Sequence, residues 1–83
     1  MAVNEIKEGD NFKRIKSKLD KSILTKLNKQ IEKLIENPDI GKPMRYNRKG
    51  TREVYMPPCR LSYAYSKEKG IIYLLDLYHK DNQ

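Results

Sequence analysis

The sequence is poor in several residue types on which whole classes of protein depend. Its 83 residues include one cysteine, one histidine and no tryptophan. A single cysteine excludes an internal disulfide, and one cysteine with one histidine excludes the ligand spacings of zinc sites. No apolar run is long enough to cross a membrane, and the charged segment 1–18 does not have the pattern of a signal peptide. We therefore expect a cytoplasmic protein without a zinc site or other metal site.

Acidic residues are also in the minority. The chain has 18 lysines and arginines against 11 aspartates and glutamates, a formal net charge of +7. That balance favours a polyanionic partner, and nucleic acid is the commonest one in the cytoplasm. An acidic protein partner would suit the charge equally well, and many small basic proteins use their charge only for solubility. Charge alone leaves these alternatives open.

The length suits one domain, 1–83, with one modest core. The first regular pattern in it is helical, because Phe12, Ile15 and Leu19 recur at helical spacing. This predicts a short amphipathic helix from about residue 11 to 19, with Asp10 as its N-cap.

The second helix has the clearest pattern in the chain, with its apolar residues on one face and its lysines largely off it. Asp20 is placed to cap its N-terminus. Asn37 ends it, because the residue before Pro38 is pushed out of the α region. The link between the helices is very short, so we expect an antiparallel hairpin over about 11–37. The apolar face consists of Ile23, Leu24, Leu27, Ile31, Leu34 and Ile35.

The second half of the chain alternates as strands do. Pro57 and Pro58 interrupt the alternation as a turn or bulge, because prolines donate no ladder hydrogen bond. The segment 2–7 is left open between a short first strand and a loose arm. The predicted class is α+β, with the helical hairpin packed on a small antiparallel sheet over about 50–80. The three predicted antiparallel strands are 51–56, 61–65 and 71–78.

No catalytic motif with a fixed spacing stands out. There is no P-loop and no glycine-rich dinucleotide fingerprint, and no serine is marked as the nucleophile of a Ser-His-Asp set. A pair of Cys59 and His79 is disfavoured, because Cys59 follows two prolines in a turn. What remains is a basic stretch from Lys42 to Arg60, with six basic residues and one acid, Glu53. We expect this stretch to contact RNA.

Strand alternation predicts how the basic residues are presented. Arg60 shares one face of its strand with Ser62 and Ala64, whose small side chains predict a face open to a ligand. Arg52 shares a face of the preceding strand with Val54. Structural ion pairs of the two arginines with Glu53 or Asp76 are the alternative to contact with RNA. The residues predicted to face the helices are Leu61, Tyr63 and Tyr65.

The order of the predicted elements, two helices followed by a basic loop and three strands, resembles that of the RelE/ParE superfamily of toxins from toxin–antitoxin pairs. The resemblance implies the RelE-like fold and a cognate antitoxin that wraps around the toxin. In the RelE branch it implies cleavage of mRNA in the ribosomal A site by attack of a ribose 2′-hydroxyl on the neighbouring phosphate, without a cofactor. The matching segments are ENPDIGKPM (36–44), RKGTREV (48–54), CRLSYAY (59–65) and IIYLLDLYHKD (71–81).

The resemblance also implies roles for single residues. Arg60 matches the arginine that opens the middle strand and would stabilise the charge of the transition state. His79 would be the general acid, since an imidazole donates a proton near neutral pH. Glu53 would be the base, and Arg52 and Lys80 complete the predicted catalytic set. The residues predicted to bind RNA are Lys42, Arg45, Arg48 and Lys49.

The chain departs from the family pattern in its tail. Many relatives have a tyrosine after the basic pair, whereas 81–83 contains none; Tyr78 and Lys80 are near enough to compensate, although neither matches by position. Two alternatives to the ribonuclease stay open: a ParE-like protein that inhibits DNA gyrase, and a degenerate toxin that binds its antitoxin or RNA without catalysis. His79 and Lys80 after the last strand, with Arg60 before it, favour the ribonuclease.

Overall fold

Two helices and five strands make up the described chain, residues 3–43 and 50–79 of a computed structural model. No helix in these two ranges is long and apolar enough to span a bilayer. The helices are α1 (Asp10–Lys16) and α2 (Lys21–Glu36). The strands are β1 (Glu5–Glu8), β2 (Lys42–Pro43), β3 (Thr51–Met56), β4 (Cys59–Ser66) and β5 (Ile71–His79).

Helix α1 begins one residue earlier than predicted and has no side-chain cap. Asp10 is its first residue and not its N-cap, so that prediction is wrong. The cause lies in the sheet: the N–H of Gly9 donates to the carbonyl of Leu74 at 3.0 Å, and the chain leaves the sheet directly into the helix. Phe12 is the buried residue of α1, and the helix ends at Lys16, before the predicted Leu19.

Helix α2 forms as predicted. The carboxylate of Asp20 accepts from the N–H of Ile23 at 2.9 Å, which confirms it as the N-cap. The helix ends at Glu36, and Asn37 before Pro38 is no longer helical. Its fully buried residues, Leu27 and Leu34, lie one above the other at the seven-residue spacing of one helix face.

The sheet has the strand order β1-β5-β4-β3-β2. The three predicted strands are its centre and pair antiparallel. Two short strands add to the edges: β1 lies parallel to β5, and β2 lies antiparallel to β3. The sheet is therefore mixed, whereas the prediction was purely antiparallel, and the open question about segment 2–7 is decided in favour of a strand at 5–8.

A bulge in β5 lets Ile72, Leu74 and Leu77 all face the helices. Ser62 of β4 lies opposite Asp76, but Tyr63 lies opposite Leu74, so Leu75 has no opposite residue. Because of this extra residue, Leu74 and Leu77 are both buried although they are three positions apart. The buried core is Phe12, Leu27, Leu34, Val54, Met56, Cys59, Leu61, Tyr63, Ile72, Leu74 and Leu77.

The helices cover one face of the sheet, and we call the opposite side the open face. Directly opposite residues share a face, so the buried Val54, Leu61 and Leu77 define the covered side. Leu61 and Tyr63 lie there as predicted. Ser62 is on the other side, but it is only 6% exposed, so it does not leave the space predicted around Arg60.

Tyr63 ties the segment after α2 to the sheet. Its hydroxyl donates to the carbonyl of Pro38 at 2.7 Å and accepts from the N–H of Gly41 at 3.0 Å. A Cβ on residue 41 would lie 2.6 Å from that hydroxyl oxygen, so only glycine fits. Burial raises the pKa of the Tyr63 phenol above its ordinary value. These contacts lead the chain into β2 at the edge of β3.

Candidate functional site

The open face carries a polar cluster centred on Glu53, whose side chain is 11% exposed. One carboxylate oxygen, Oε1, lies 2.9 Å from Nη1 of Arg60. The other, Oε2, accepts a hydrogen bond from the hydroxyl of Tyr78. Both oxygens of the carboxylate are thus held, one by a cation and one by a phenol. We call Glu53, Arg60 and Tyr78 the Glu53 cluster.

The register of the sheet brings the Glu53 cluster together. Arg60 on β4 lies directly opposite Tyr78 on β5, and Glu53 on β3 lies opposite Ser62, two residues further along β4. Glu53 and Tyr78 are two strand spacings apart, about 10 Å between backbones, so their side chains meet above β4. The residue beneath the carboxylate is a small serine, which explains how Ser62 becomes buried. Its small size makes room for the cluster itself.

Tyr55 extends the Glu53 cluster towards solvent. Its ring centroid is 5.9 Å from Cζ of Arg60, within range of a cation–π contact, and the two residues lie opposite each other on β3 and β4. Tyr55 is 51% exposed. The guanidinium of Arg60 is therefore bounded by a carboxylate and an aromatic ring, two groups that fix its position.

A cleft with basic walls adjoins the Glu53 cluster. It runs past the edge of β3 towards α2, with Lys33 and Lys42 as its cations besides Arg60. Lys42, one of the predicted RNA-binding residues, lies on β2 opposite Glu53. Four other predicted residues, Arg45, Arg48, Lys49 and Lys80, lie outside the described residues. The remaining lining residues are Gln30, Ile40, Glu53, Val54 and Tyr55.

Arg52 is not part of the Glu53 cluster. It lies opposite Tyr63, on the covered face. Its Nη1 donates to the carbonyl oxygens of Gly41 at 2.8 Å and Asp39 at 3.2 Å, and its Nη2 lies 3.5 Å from the Asp39 carboxylate. The structure places this predicted catalytic residue where it holds the segment between α2 and β2. Of the ion pairs anticipated for the two arginines with Glu53 or Asp76, that of Arg60 with Glu53 is present, whereas Arg52 pairs with Asp39.

His79 also lies on the face of the sheet opposite the Glu53 cluster. It is the last residue of β5, it is exposed, and it lies opposite Cys59, which is buried on the covered face. Consecutive strand residues point to opposite faces, so Tyr78 and His79 diverge. The structure therefore brings together Glu53 and Arg60 of the predicted catalytic set. The residue that it adds is Tyr78, which the sequence marked only as near enough to compensate for the tyrosine missing from the tail.

Asp76, an isolated acid within an apolar strand, has a structural explanation. Its Oδ1 accepts from the N–H of Leu77 at 2.9 Å and from Nδ2 of Asn11 at 3.2 Å. Asn11 also donates to the carbonyl of Leu75 at 3.5 Å, which is long for a hydrogen bond. These contacts join the start of α1 to the bulge. Within 3–43 and 50–79, no three His, Cys, Asp or Glu residues are grouped as ligands for a metal ion.

Comparison with known families identifies the class of protein. Residues 10–83 match the model of the ParE toxin of type II toxin-antitoxin system, parDE. The chain therefore belongs to the ParE/RelE family of toxins from type II toxin–antitoxin systems. The comparison with curated proteins found no match.

Solved structures with the same fold include both free toxins and complexes. A chain of the toxin–antitoxin complex RelBE2 from Mycobacterium tuberculosis matches with a TM-score of 0.83 and 24% identity, covering 92% of this chain and 96% of that one. The YoeB/ParE toxin from Agrobacterium tumefaciens matches with a TM-score of 0.81 and 13% identity, covering 92% of this chain and 98% of that one. The archaeal RelE–RelB complex from Pyrococcus horikoshii matches with 0.76 and 13%, covering all of both chains. The predicted RelE-like fold is confirmed.

Proposed function

We propose that this toxin is a ribosome-dependent mRNA endonuclease of the RelE type. The observation that supports this function is the Glu53 cluster. Cleavage by a ribose 2′-hydroxyl needs a base for that hydroxyl, a cation for the charge of the phosphorane and an acid for the leaving 5′-oxygen. The cluster contains a carboxylate, a guanidinium and a phenol in direct contact.

In the proposed reaction the 2′-oxygen attacks the adjacent phosphorus and its proton passes to the carboxylate of Glu53. Arg60 stabilises the negative charge that develops on the non-bridging oxygens, because a guanidinium presents a planar fork of N–H donors that fits phosphate. The P–O5′ bond then breaks, and the leaving 5′-oxygen takes a proton from the general acid. The products are a 2′,3′-cyclic phosphate and a 5′-hydroxyl, and no cofactor takes part.

The basic cleft beside the Glu53 cluster gives the proposed path of the RNA. Lys33, Lys42 and Arg60 line it, and lysine and arginine contacts to phosphates supply most of the affinity for nucleic acid. Arg45, Arg48 and Lys49 continue the proposed RNA-binding set. The target implies a cytoplasmic location, with mRNA and the ribosome as partners.

A cognate antitoxin is the proposed regulator. The Mycobacterium and Pyrococcus relatives were crystallised as complexes of toxin with antitoxin. The net charge of +7 favours an acidic segment in the partner. We expect a small acidic protein encoded next to this chain to bind it and to block the cleft.

A second candidate function is inhibition of DNA gyrase without cleavage of RNA. It is favoured by one observation, that the matching family model is that of ParE. A degenerate toxin, in which Glu53 and Arg60 form only a structural ion pair, is the third. Both alternatives require that the Glu53 cluster take no part in catalysis.

The test is translation of a reporter mRNA in a purified system with added toxin, with the 3′ ends mapped by primer extension. Cuts that need ribosomes and disappear with Arg60→Ala or Glu53→Gln would support the ribonuclease. Lys69→Ala, an exposed charge in the β4–β5 hairpin, is the control for loss of a cation. An intact transcript would overturn the proposal, and a gyrase supercoiling assay would then separate the ParE-like function from the degenerate toxin.

A further inference from the structure

We propose that Tyr78, and not His79, donates the proton to the leaving 5′-oxygen. This inference rests on the proposed ribonuclease function and names its general acid. The resemblance to relatives implied His79 for that role. The structure separates His79 from Glu53 and Arg60 and puts a phenol in contact with Glu53 instead.

The register decides which of the two neighbouring residues reaches the Glu53 cluster. Tyr78 lies opposite Arg60, and His79 lies opposite the buried Cys59. An imidazole on the covered side of β5 would have to pass around the strand to meet a phosphate bound by Arg60. The phenol needs no such movement, because its oxygen already touches the carboxylate that Arg60 binds.

Proton chemistry selects Tyr78 within the cluster. Arg60 carries N–H groups, but a guanidinium does not give up its proton in a protein. A phenol does so at an ordinary pKa of about 10.

The hydrogen bond between Tyr78 and Glu53 also closes the proton cycle. As the 2′-O–P bond forms, Glu53 takes the 2′-hydroxyl proton; as the P–O5′ bond breaks, the 5′-oxygen takes the Tyr78 proton. This leaves a phenolate beside a neutral carboxylic acid. The proton of Glu53 then returns to Tyr78 along their hydrogen bond, and both groups are restored. The net transfer is one proton from the 2′-oxygen to the 5′-oxygen, without exchange with solvent.

The test compares two mRNAs in the ribosomal assay. One has an ordinary A-site codon, and the other has sulfur in place of the 5′-bridging oxygen at the scissile phosphate. A thiolate leaves without protonation, so loss of the acid matters little for this substrate. Tyr78→Phe should slow cleavage of the ordinary mRNA by about 10²-fold or more. On the sulfur mRNA the rate of the variant should stay within about tenfold of that of the parent protein, because the variant lacks only the general acid, which a thiolate leaving group does not need.

Two further variants make the comparison specific. Tyr73→Phe removes a hydroxyl from the same face of the same strand, opposite Ala64 and outside the Glu53 cluster, and should leave both substrates unaffected. Glu53→Gln should slow both substrates, because the base is needed whatever the leaving group.

Three outcomes would overturn the assignment. Equal slowing of both substrates by Tyr78→Phe would mean that the phenol only supports Glu53. Slowing by His79→Ala that the sulfur leaving group relieves would return the acid role to His79. If the parent protein cuts neither mRNA on ribosomes, the proposed function fails first, and this result is recognised without any variant.

Discussion

Arg52 and Arg60 come from the same basic stretch but lie on opposite faces of the sheet. Arg60 lies on the open face, with Nη1 2.9 Å from Glu53. Arg52 lies on the covered face and binds the carbonyl oxygens of Gly41 and Asp39. The resemblance to relatives implied a catalytic role for both, whereas their contacts differ: Arg60 pairs with a carboxylate, and Arg52 binds backbone carbonyls.

Truncation of the two arginines should therefore have different effects, on stability for Arg52 and on cleavage for Arg60. Arg52→Ala should lower the free energy of unfolding by about 1–2 kcal/mol, because the part-buried carbonyl of Gly41 loses its charged donor. Arg60→Ala should lower cleavage by about 10²-fold or more through loss of charge stabilisation. Urea denaturation and the ribosomal assay measure the two effects. Loss of cleavage by Arg52→Ala with unchanged stability would contradict this separation.

Removal of the Tyr63 hydroxyl should destabilise the fold. Tyr63→Phe leaves the carbonyl of Pro38 and the N–H of Gly41 without their partner. A buried polar group left unsatisfied costs about 1–3 kcal/mol, and urea denaturation would measure the loss. Tyr73→Phe is the control, and an equal change in both variants would argue against the role given to the Tyr63 hydroxyl.

A methyl group at position 41 should also destabilise the fold, and its effect should be coupled to Tyr63. The added Cβ would lie 2.6 Å from the hydroxyl oxygen and 2.8 Å from Cε1 of Tyr63. Tyr63→Phe relieves only the first contact, so Gly41→Ala should cost less in that background without becoming neutral. A double-mutant cycle in urea measures the coupling, and strictly additive effects would show that the two residues act separately.

Stability should fall at alkaline pH because of Tyr63. Burial raises the pKa of Tyr63 in the folded protein above its ordinary value of 10.0. The contribution of the protonated phenol to the free energy of unfolding is therefore complete below pH 10, and it is lost as the pH rises through the folded pKa. The sign follows because the unfolded chain binds fewer protons in that range. Urea denaturation between pH 9 and 11 would detect the decline. Tyr63→Phe should have a flatter profile, and an unchanged slope would assign the decline to other groups.

The thiol of Cys59 should react slowly in the native protein. Burial raises its pKa, although the positive charge of Lys26 acts in the opposite direction, and the reactive thiolate becomes scarcer at neutral pH. Labelling by a disulfide reagent should therefore wait for unfolding and become fast in denaturant. Rapid labelling of the native protein at pH 7 would show that Cys59 is more accessible than its burial indicates.

The features predicted correctly from the sequence depend on local spacing. The apolar face of α2 and its cap at Asp20 are fixed by residues within a few turns, and the apolar run from Ile71 marks β5 by itself. β2 gave no signal, because two residues have no periodicity. The parallel pairing of β1 was missed because only its partner β5 defines it.

Only part of the candidate site could be predicted from the sequence, because the rest depends on pairing between distant strands. Glu53 and Arg60 were chosen by residue type and by resemblance, and these properties belong to single residues. The faces of Tyr78, His79 and Arg52 depend on which residues they lie opposite on neighbouring strands. That register is set by packing between segments distant in sequence.

The extra residue at Leu75 has a consequence for chemistry as well as for packing. In an unbulged strand that starts from the same buried Leu74, alternation would turn His79 to the open face and Tyr78 towards the core. The bulge inverts this parity, so that Leu77 is buried and Tyr78 emerges beside Arg60. The choice between an imidazole and a phenol at the carboxylate is thus made by the burial of a leucine on the other side of the sheet.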